Sequence, residues 1–259
     1  MLKPAILGII QGATEFLPVS STAHLILMRW FFGWNGELST LSFDVALHAG
    51  TLTSLLICFS KDIANIIKEN KRLALFIAIG TLPAGLAGFL GEDFVSGSLR
   101  SPFIVASALI VFGLVMLASE RFQKLRDMQT LTLSEVLFIG IAQAIALVPG
   151  VSRSGITISA ALMMGLKRQD SARFSFLLSI PIVAGASVLE GSRLMSHPED
   201  YDLGVFVSGF LASSIAGIFA IKFLLGYLRR HPLNVFVYYR IALAVIIMWW
   251  GFTGSGYGK

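Results

Sequence analysis

Apolar residues run along this chain in long blocks rather than at the spacing of a surface helix. A spanning helix needs about 20 apolar residues. Six segments fit, some of them narrowly: roughly 41–60, 73–91, 102–119, 172–190, 204–226 and 235–252. Two further apolar stretches are interrupted near their middles by Pro, Gly and Ser: 5–33 at "LPVSS" and 135–166 at "VPGVSRSG". Each half of these stretches is too short to cross alone. Irregular backbone at membrane depth is tolerated only where protein or a watery cavity covers it. Each interrupted stretch therefore reads as a helix-loop-helix hairpin that enters and leaves on the same side. The pattern predicts an all-α integral membrane protein, one membrane domain over 1–259, with six transmembrane helices plus two re-entrant hairpins.

The interrupted stretches also match each other. "GIIQGATEFLPVSS" (8–21) aligns with "GIAQAIALVPGVSR" (140–153), bringing Gly8 onto Gly140, Gln11 onto Gln143, Val19 onto Val151 and Ser20 onto Ser152. "SFDVALHAG" (42–50) falls near "RFSFLLSIP" (173–181) at almost the same offset. Each half, about 1–130 and 131–259, is then one hairpin plus three spans. Three is odd, so the second half is expected to be inverted in the membrane, with the hairpins entering from opposite faces and their tips meeting near the midplane. Paired Pro/Gly interruptions in two such halves point to a binding site.

Composition agrees with the pattern. Mean hydropathy is +0.78, 55% of residues are hydrophobic and 14% are charged, where a soluble domain carries about 25% charged residues. The apolar opening is not expected to act as a cleaved secretory signal, since it holds the polar cluster "EFLPVSSTAH". The single Cys58 excludes a disulfide framework. The net charge of +5 suits a membrane protein, and no basic stripe interleaved with aromatics suggests nucleic acid. Basic residues set orientation, because they gather on the cytoplasmic side. Thirteen of the twenty fall in 61–72, 120–133, 166–173 and 222–232, which should be cytoplasmic. Five (Lys3, Arg29, Arg100, Arg193 and Lys259) fall on the other side. Both termini, the first hairpin's mouth and the acidic "HPEDYD" (197–202) are then expected outside.

Ionisable groups inside a membrane are costly and face a cavity or a partner. Glu15, His24 and Arg153 are the clearest, with Asp44 and His48 as further candidates. Gln11 and Glu15 share one face of the inbound half-helix, and Pro18 ends it. Ser20, Ser21 and Thr22 begin the outbound one, where free backbone N–H groups suit an anion. His24 follows Ser21 by three residues, a spacing that allows a proton relay. A carboxylate near a His and a Ser can activate a hydroxyl nucleophile; alternatively Glu15, with Gln11 as neutral second ligand, could hold a divalent metal. On the second hairpin, "PGVSRSGITIS" (149–159) reads as a phosphate cradle. Gly150 and Gly155 permit close backbone approach, Ser152, Ser154 and Thr157 offer hydroxyls, and Arg153 offers a fork that matches phosphate oxygens. Brought together, the tips suit phosphoryl transfer.

Plainer roles compete. Any one hydroxyl can simply bond across helices, Gly and Pro can simply bend them, and Glu15 with Arg153 can be a structural ion pair. Asp44 and His48 are expected to be structural or gating residues. Arg240 is expected near the cytoplasmic end of its helix, snorkelling, and Met163 and Met164 are expected to pack.

"QGATEFLPVSSTAH" resembles the first signature of the undecaprenyl-pyrophosphate phosphatases of the bacitracin-resistance type, and "PGVSRSGITIS" is similar to their second. The likeness covers nearly the whole chain. It does not extend to the other integral-membrane lipid phosphatases, built on a Pro-Ser-Gly-His run. The resemblance implies removal of the terminal phosphate from a C55 polyprenyl diphosphate in the bacterial plasma (inner) membrane, giving the monophosphate carrier lipid for peptidoglycan and other envelope polymers. It also implies a divalent cation, magnesium or calcium, and a site open to the extracytoplasmic side; a homodimer is left open. Glu15, Ser21, His24 and Arg153 match the family's principal catalytic residues, and Gln11, Ser20, Ser152 and Thr157 match supporting positions. Gln11 stands where many members have Glu, so it cannot be the general base. Ser21 is the preferred nucleophile, with a phospho-histidine at His24 or direct attack by water as alternatives. The rival class is a secondary transporter or lipid flippase, which needs Arg153 and helix ends but no nucleophile.

Overall fold

The computed structural model describes residues 1–91, 101–196 and 202–252. Arg100, residues 197–201 and Lys259, which entered the charge reading, lie outside these, as does the side chain of Arg193. The described chain is helical: α1 Leu2–Phe16, α2 Ser21–Phe32, α3 Leu41–Cys58, α4 Ser60–Lys68, α5 Lys71–Leu90, α6 Pro102–Ser119, α7 Leu133–Ile145, α8 Arg153–Met163, α9 Arg168–Ser196, α10 Leu203–Tyr227 and α11 Asn234–Phe252. Local chemistry sets the ends. Thr40 caps α3 through the Phe43 N–H, Asn70 caps α5, and Thr132 with Glu135 forms a capping box on α7. Gly33 closes α2 in the left-handed conformation.

Five of these helices are long and apolar enough to cross a bilayer: α3, α5, α6, α10 and the Arg168–Leu189 part of α9. The sixth expected span falls on α11, whose described apolar part, Asn234–Trp249, is shorter. Between α3 and α5 the chain forms α4, a helix where only a charged loop was expected. Together the helices make this a multi-pass integral membrane protein.

Packing follows membrane rather than aqueous logic. On α10 the large residues Val207, Leu211, Ile215, Phe219 and Phe223 point outward, spaced by four. Its small residues Gly209, Ser213, Ser214 and Gly217 point inward. Without a hydrophobic drive between helices in lipid, small residues that let backbones approach hold them together. α1 lies along α10 so closely that a methyl group on Gly8 or Gly12 would strike the backbone of Gly209 or Ser213. α7 lies along α5 in the same manner, with Gly140 against the Gly80 carbonyl.

The two interrupted stretches break where the sequence reading placed the breaks. α1 and α2 pack together across Leu17–Ser20, and α7 and α8 across Ala146–Ser152. Ser20 (φ 73°) and Ser152 (φ 70°), both N-caps, are the two described non-glycine residues with positive φ. Ser152 accepts the Gly155 N–H at 3.2 Å. Gly150 (φ 97°) packs against the Val105 carbonyl, where no Cβ would fit.

Arg240 does not snorkel. It is fully buried, and all four of its hydrogen bonds run to backbone carbonyls. Nη2 donates to Gly150 O at 2.8 Å and more weakly to Ala108 O at 3.4 Å; Nε donates to Leu109 O at 3.1 Å and Nη1 to Pro18 O at 3.4 Å. One side chain from α11 thus joins both tips, Pro18 of the first hairpin and Gly150 of the second. The planar fork of an arginine reaches several acceptors at once, which a lysine cannot do.

The four basic segments meet at one end of the molecule. Arg72 donates to Leu131 O (2.7 Å), Arg126 pairs with Glu135 (2.6 Å) and donates to Met164 O (2.8 Å), and Arg173 pairs with Asp62 (2.7 Å). Glu120 collects Arg168 at 2.6 Å, Lys124 at 3.3 Å and the Leu233 N–H at 2.9 Å. At the opposite end, Ser208 bonds Met1 O and the Asp202 N–H bonds Glu37.

Two outcomes follow from these joints. Arg240→Met leaves buried carbonyls without donors, each costing about 1–3 kcal/mol; the thermal midpoint in detergent should fall, and Arg240→Lys should restore only part of it. An unchanged midpoint in Arg240→Met would show that the tips hold without the brace. At Glu120, burial alone would raise the carboxyl. The hydrogen bonds from Arg168 and Leu233, with the charges of Arg168 and Lys124, outweigh burial and set it below its ordinary value. A lowered carboxyl stabilises above its unfolded pKa and loses that contribution as pH falls through the folded one. Thermal midpoints measured against pH should therefore fall through the acid range, and Glu120→Gln should flatten part of that fall.

Candidate active site

The two tips close on a cleft of about 370 Å³, within the usual range for small-ligand sites of about 300–1,000 Å³. Glu15, Ser20, Ser21 and Thr22 line it from the first hairpin; Gln143, Gly150, Ser152 and Arg153 line it from the second. Leu147, Val148, Ile182 and Val183 give it apolar walls. Asp44 and Val45, near the start of α3, and Ala186, late in α9, place the cleft in the half of the molecule away from the basic end.

Glu15 is the centre of the polar set. Its Oε1 accepts from Arg153 Nη2 at 2.5 Å, across 138 residues of sequence. Its Oε2 accepts from Ser21 Oγ at 2.7 Å and from Gln11 Nε2 at 3.0 Å. The broken helix makes this possible: the Leu17–Ser20 turn brings α2 back so that Ser21 faces Glu15. Of the eleven site residues expected from sequence, Glu15, Ser21, Gln11 and Arg153 meet in one bonded cluster, and Ser20, Thr22, Gly150 and Ser152 line the cleft.

Three expected residues are used differently. The Ser21–His24 relay does not form. His24 Nδ1 lies 2.7 Å from Ser20 O, and its Nε2 lies 2.7 Å from Tyr239 Oη. A carbonyl only accepts, so Nδ1 carries the proton and Nε2 accepts from the Tyr239 hydroxyl. His24 also stacks on Tyr239. The i, i+4 bond back to its own N-cap turns the ring away from Ser21. Ser154 Oγ donates to Leu17 O at 3.2 Å, tying the second tip to the first. Thr157 bonds Arg153 O (2.7 Å) and Ser175 Oγ (2.6 Å), tying α8 to α9. Ser154 and Thr157 are fully buried, and neither lines the cleft.

His48, expected to be structural or gating, reaches the cluster instead. Its Nδ1 lies 3.0 Å from Gln11 Nε2 and 3.6 Å from Glu15 Oε2. Since Gln11 Nε2 donates, Nδ1 accepts and Nε2 carries the proton of the neutral ring. Asp44 also lines the cleft, but both of its carboxylate oxygens are held by Arg29. Sequence spacing put Asp44 and His48 on one helical face without showing that α3 would lie against α1.

Oxygen donors for a divalent cation are present, though in small number. Among the described residues no group of three His, Cys, Asp or Glu side chains gathers. Gln11 Oε1 is buried without a partner among them, beside the Glu15 carboxylate. One carboxylate with neutral oxygens fits a magnesium-like ion, which takes its remaining ligands from water and substrate phosphates.

Comparison with known proteins places nearly the whole chain among close relatives. The undecaprenyl-diphosphatase of Thermodesulfovibrio yellowstonii is 51% identical over 247 residues, covering 95% of this chain and 96% of that protein. That of Elusimicrobium minutum is 46% identical over 255 residues, covering 95% and 96%. That of Rubrobacter xylanophilus is 41% identical over 263 residues, covering 95% and 97%. The family model described as bacitracin resistance protein BacA matches residues 4–246, nearly the full length, and the chain belongs to that family.

Proposed function

We propose that the chain is an undecaprenyl-diphosphate phosphatase of the bacterial plasma (inner) membrane, removing the terminal phosphate of a C55 polyprenyl diphosphate and leaving the monophosphate carrier for envelope synthesis. The observation that carries this reading is the Ser21–Glu15–Arg153 chain, which joins a hydroxyl, a carboxylate and a guanidinium across the two tips. A carrier protein would need the arginine but not the serine held on a carboxylate.

In the proposed reaction Ser21 Oγ bonds to the terminal phosphorus while its proton passes to Glu15. The bond from that phosphorus to the bridging oxygen breaks, and the lipid monophosphate leaves, taking the proton from Glu15. Water then attacks the phosphoserine, giving a proton to Glu15; the bond from phosphorus to Ser21 Oγ breaks, Oγ takes that proton from Glu15, and free phosphate leaves. Arg153 offsets the charge on the transferred phosphoryl group. A magnesium or calcium ion held by Glu15 and Gln11 Oε1 would add charge neutralisation on the phosphate oxygens. His48 and Gln11 fix the Glu15 carboxylate; His24 holds the strained Ser20 turn through its carbonyl.

The membrane arrangement proposed with this activity has six spans and two re-entrant hairpins in an inverted repeat. It is supported by the matching breaks at Ser20 and Ser152 and by the equivalent contacts of α1 on α10 and α7 on α5. The clustered basic end is assigned to the cytoplasm, which puts Met1 and the cleft on the outer side. Paired hairpins of this kind also serve transporters, and phosphate release separates the two readings.

Purified protein given a polyprenyl diphosphate should release phosphate, and a chelator should suppress it. Release should vanish in Glu15→Ala and Arg153→Ala while the proteins stay folded in detergent. Ser21→Ala should lose about 10²–10⁴-fold, the usual scale for a positioned acid–base or nucleophilic group. More than a tenth of normal turnover in Ser21→Ala would take the attack away from Ser21 and leave it to water or His24, and no release by the parent protein would favour transport. Orientation is measured separately. In a Cys58→Ser background, a membrane-impermeant maleimide on intact cells should label Ser39→Cys but not Gln123→Cys, both exposed positions at opposite ends. The reverse labelling would invert the topology.

A further inference from the structure

Gln143 is the repeat mate of Gln11, yet the two side chains live differently. Gln11 Nε2 is bonded to Glu15 and lies against His48. Gln143 lines the cleft, is only 3% exposed, and has no hydrogen-bond partner at either amide atom among the described residues. Arg153, which lines the same cleft, uses Nη2 on Glu15, while its Nη1 is buried with no partner among the described residues. Buried polar groups are nearly always paired, and each exception calls for a reason. An unsatisfied buried amide destabilises the ligand-free protein. Two such groups, on two residues of one hairpin that line the same cleft, form a set of donors and one acceptor without a partner among the described residues. The neighbouring walls, Leu147, Val148, Ile182 and Val183, are apolar.

We infer that Gln143 and Arg153 Nη1 form a subsite for the lipid-proximal phosphate of the diphosphate, the one that stays on the product. This deepens the proposed function and rests on it. Ser21 and Glu15 belong to the first hairpin and serve the terminal phosphate. The second hairpin then grips the phosphate next to the chain: the Gln143 amide N–H and Arg153 Nη1 donate to its oxygens, with the apolar wall taking the first isoprene units. The lipid monophosphate keeps this grip after transfer, so the same subsite sets product inhibition. Free phosphate lacks the lipid-proximal group and is held by the first hairpin and Arg153 alone.

The test is Gln143→Leu, an apolar near-isostere. A hydrogen bond to a charged group contributes about 1.5–3 kcal/mol, so KM for the diphosphate should rise about 10- to 100-fold, with a smaller change in kcat. The inhibition constant for the lipid monophosphate should rise by a similar factor, while that for inorganic phosphate should stay within about twofold, its contacts being elsewhere. The ligand-free thermal midpoint should hold or rise, because an unsatisfied buried amide has been removed. Gln143→Asn, which keeps the amide but shortens its reach, should fall between. A lower midpoint with unchanged KM would overturn the subsite and make Gln143 a structural residue. Equal weakening of lipid monophosphate and inorganic phosphate would overturn the assignment to the lipid-proximal group. If the parent protein releases no phosphate, the phosphatase reading fails by itself. Binding of the diphosphate lipid to parent and Gln143→Leu proteins then decides the subsite independently.

Discussion

Ending a helix inside a membrane protein leaves carbonyls with nothing to accept from, and the rest of this structure depends on how that is resolved. The first hairpin ends α1 at Phe16, and the second ends α7 at Ile145. Most residues of these turns are buried in protein, and lipid offers no hydrogen bonds. Arg240 supplies donors to both tips at once, from a helix belonging to neither hairpin. His24 does the same for Ser20 O, and Ser154 for Leu17 O. Only with the tips fixed in this way can Glu15 and Arg153, on different hairpins, stand 2.5 Å apart.

The site is therefore shared by construction. Neither hairpin brings a complete set to the cleft: there the first supplies carboxylate and hydroxyl without a cation, and the second supplies the cation without a carboxylate. The close glycine contacts lock α1 to α10 and α7 to α5. Positioning is thus set by backbone approach rather than by long side chains, which suits an environment where apolar side chains gain little by leaving lipid for protein.

Much of this was legible in the chain because membrane sequence is constrained. Long apolar blocks gave the spans to within a few residues, except that α9 starts at Arg168 rather than 172 and the described apolar part of α11 is short. Pro18 and the Pro149-Gly150 pair marked the breaks, since both chemistries end helices. Glu15 and Arg153 were recognisable because ionisable groups are rare at membrane depth, and Ser21 because it sits in the polar cluster at the break. What sequence hid were contacts fixed only by tertiary packing. His24 seemed to share a face with Ser21, but its ring bonds its own N-cap carbonyl and Tyr239. Arg240 looked like a snorkelling residue because nothing local shows that two distant turns need its donors. His48 enters the cluster only because α3 lies against α1. Gln143 was visible as the residue that aligns with Gln11, but its burial without a hydrogen bond among the described residues is a property of the fold alone.

The Glu15–Arg153 pair has a consequence for selectivity. An exposed arginine in a cleft would attract any small anion. Here one arm of the guanidinium is already held by a carboxylate, so an incoming phosphate must compete for a cation whose charge is partly cancelled. A free phosphate brings little besides its charge to that competition. A ligand anchored in the bilayer brings a high local concentration and an apolar chain that stays solvated by lipid. The pair thus works as a threshold that ionic attraction alone does not cross, and it tilts the cleft toward anions that arrive attached to the membrane.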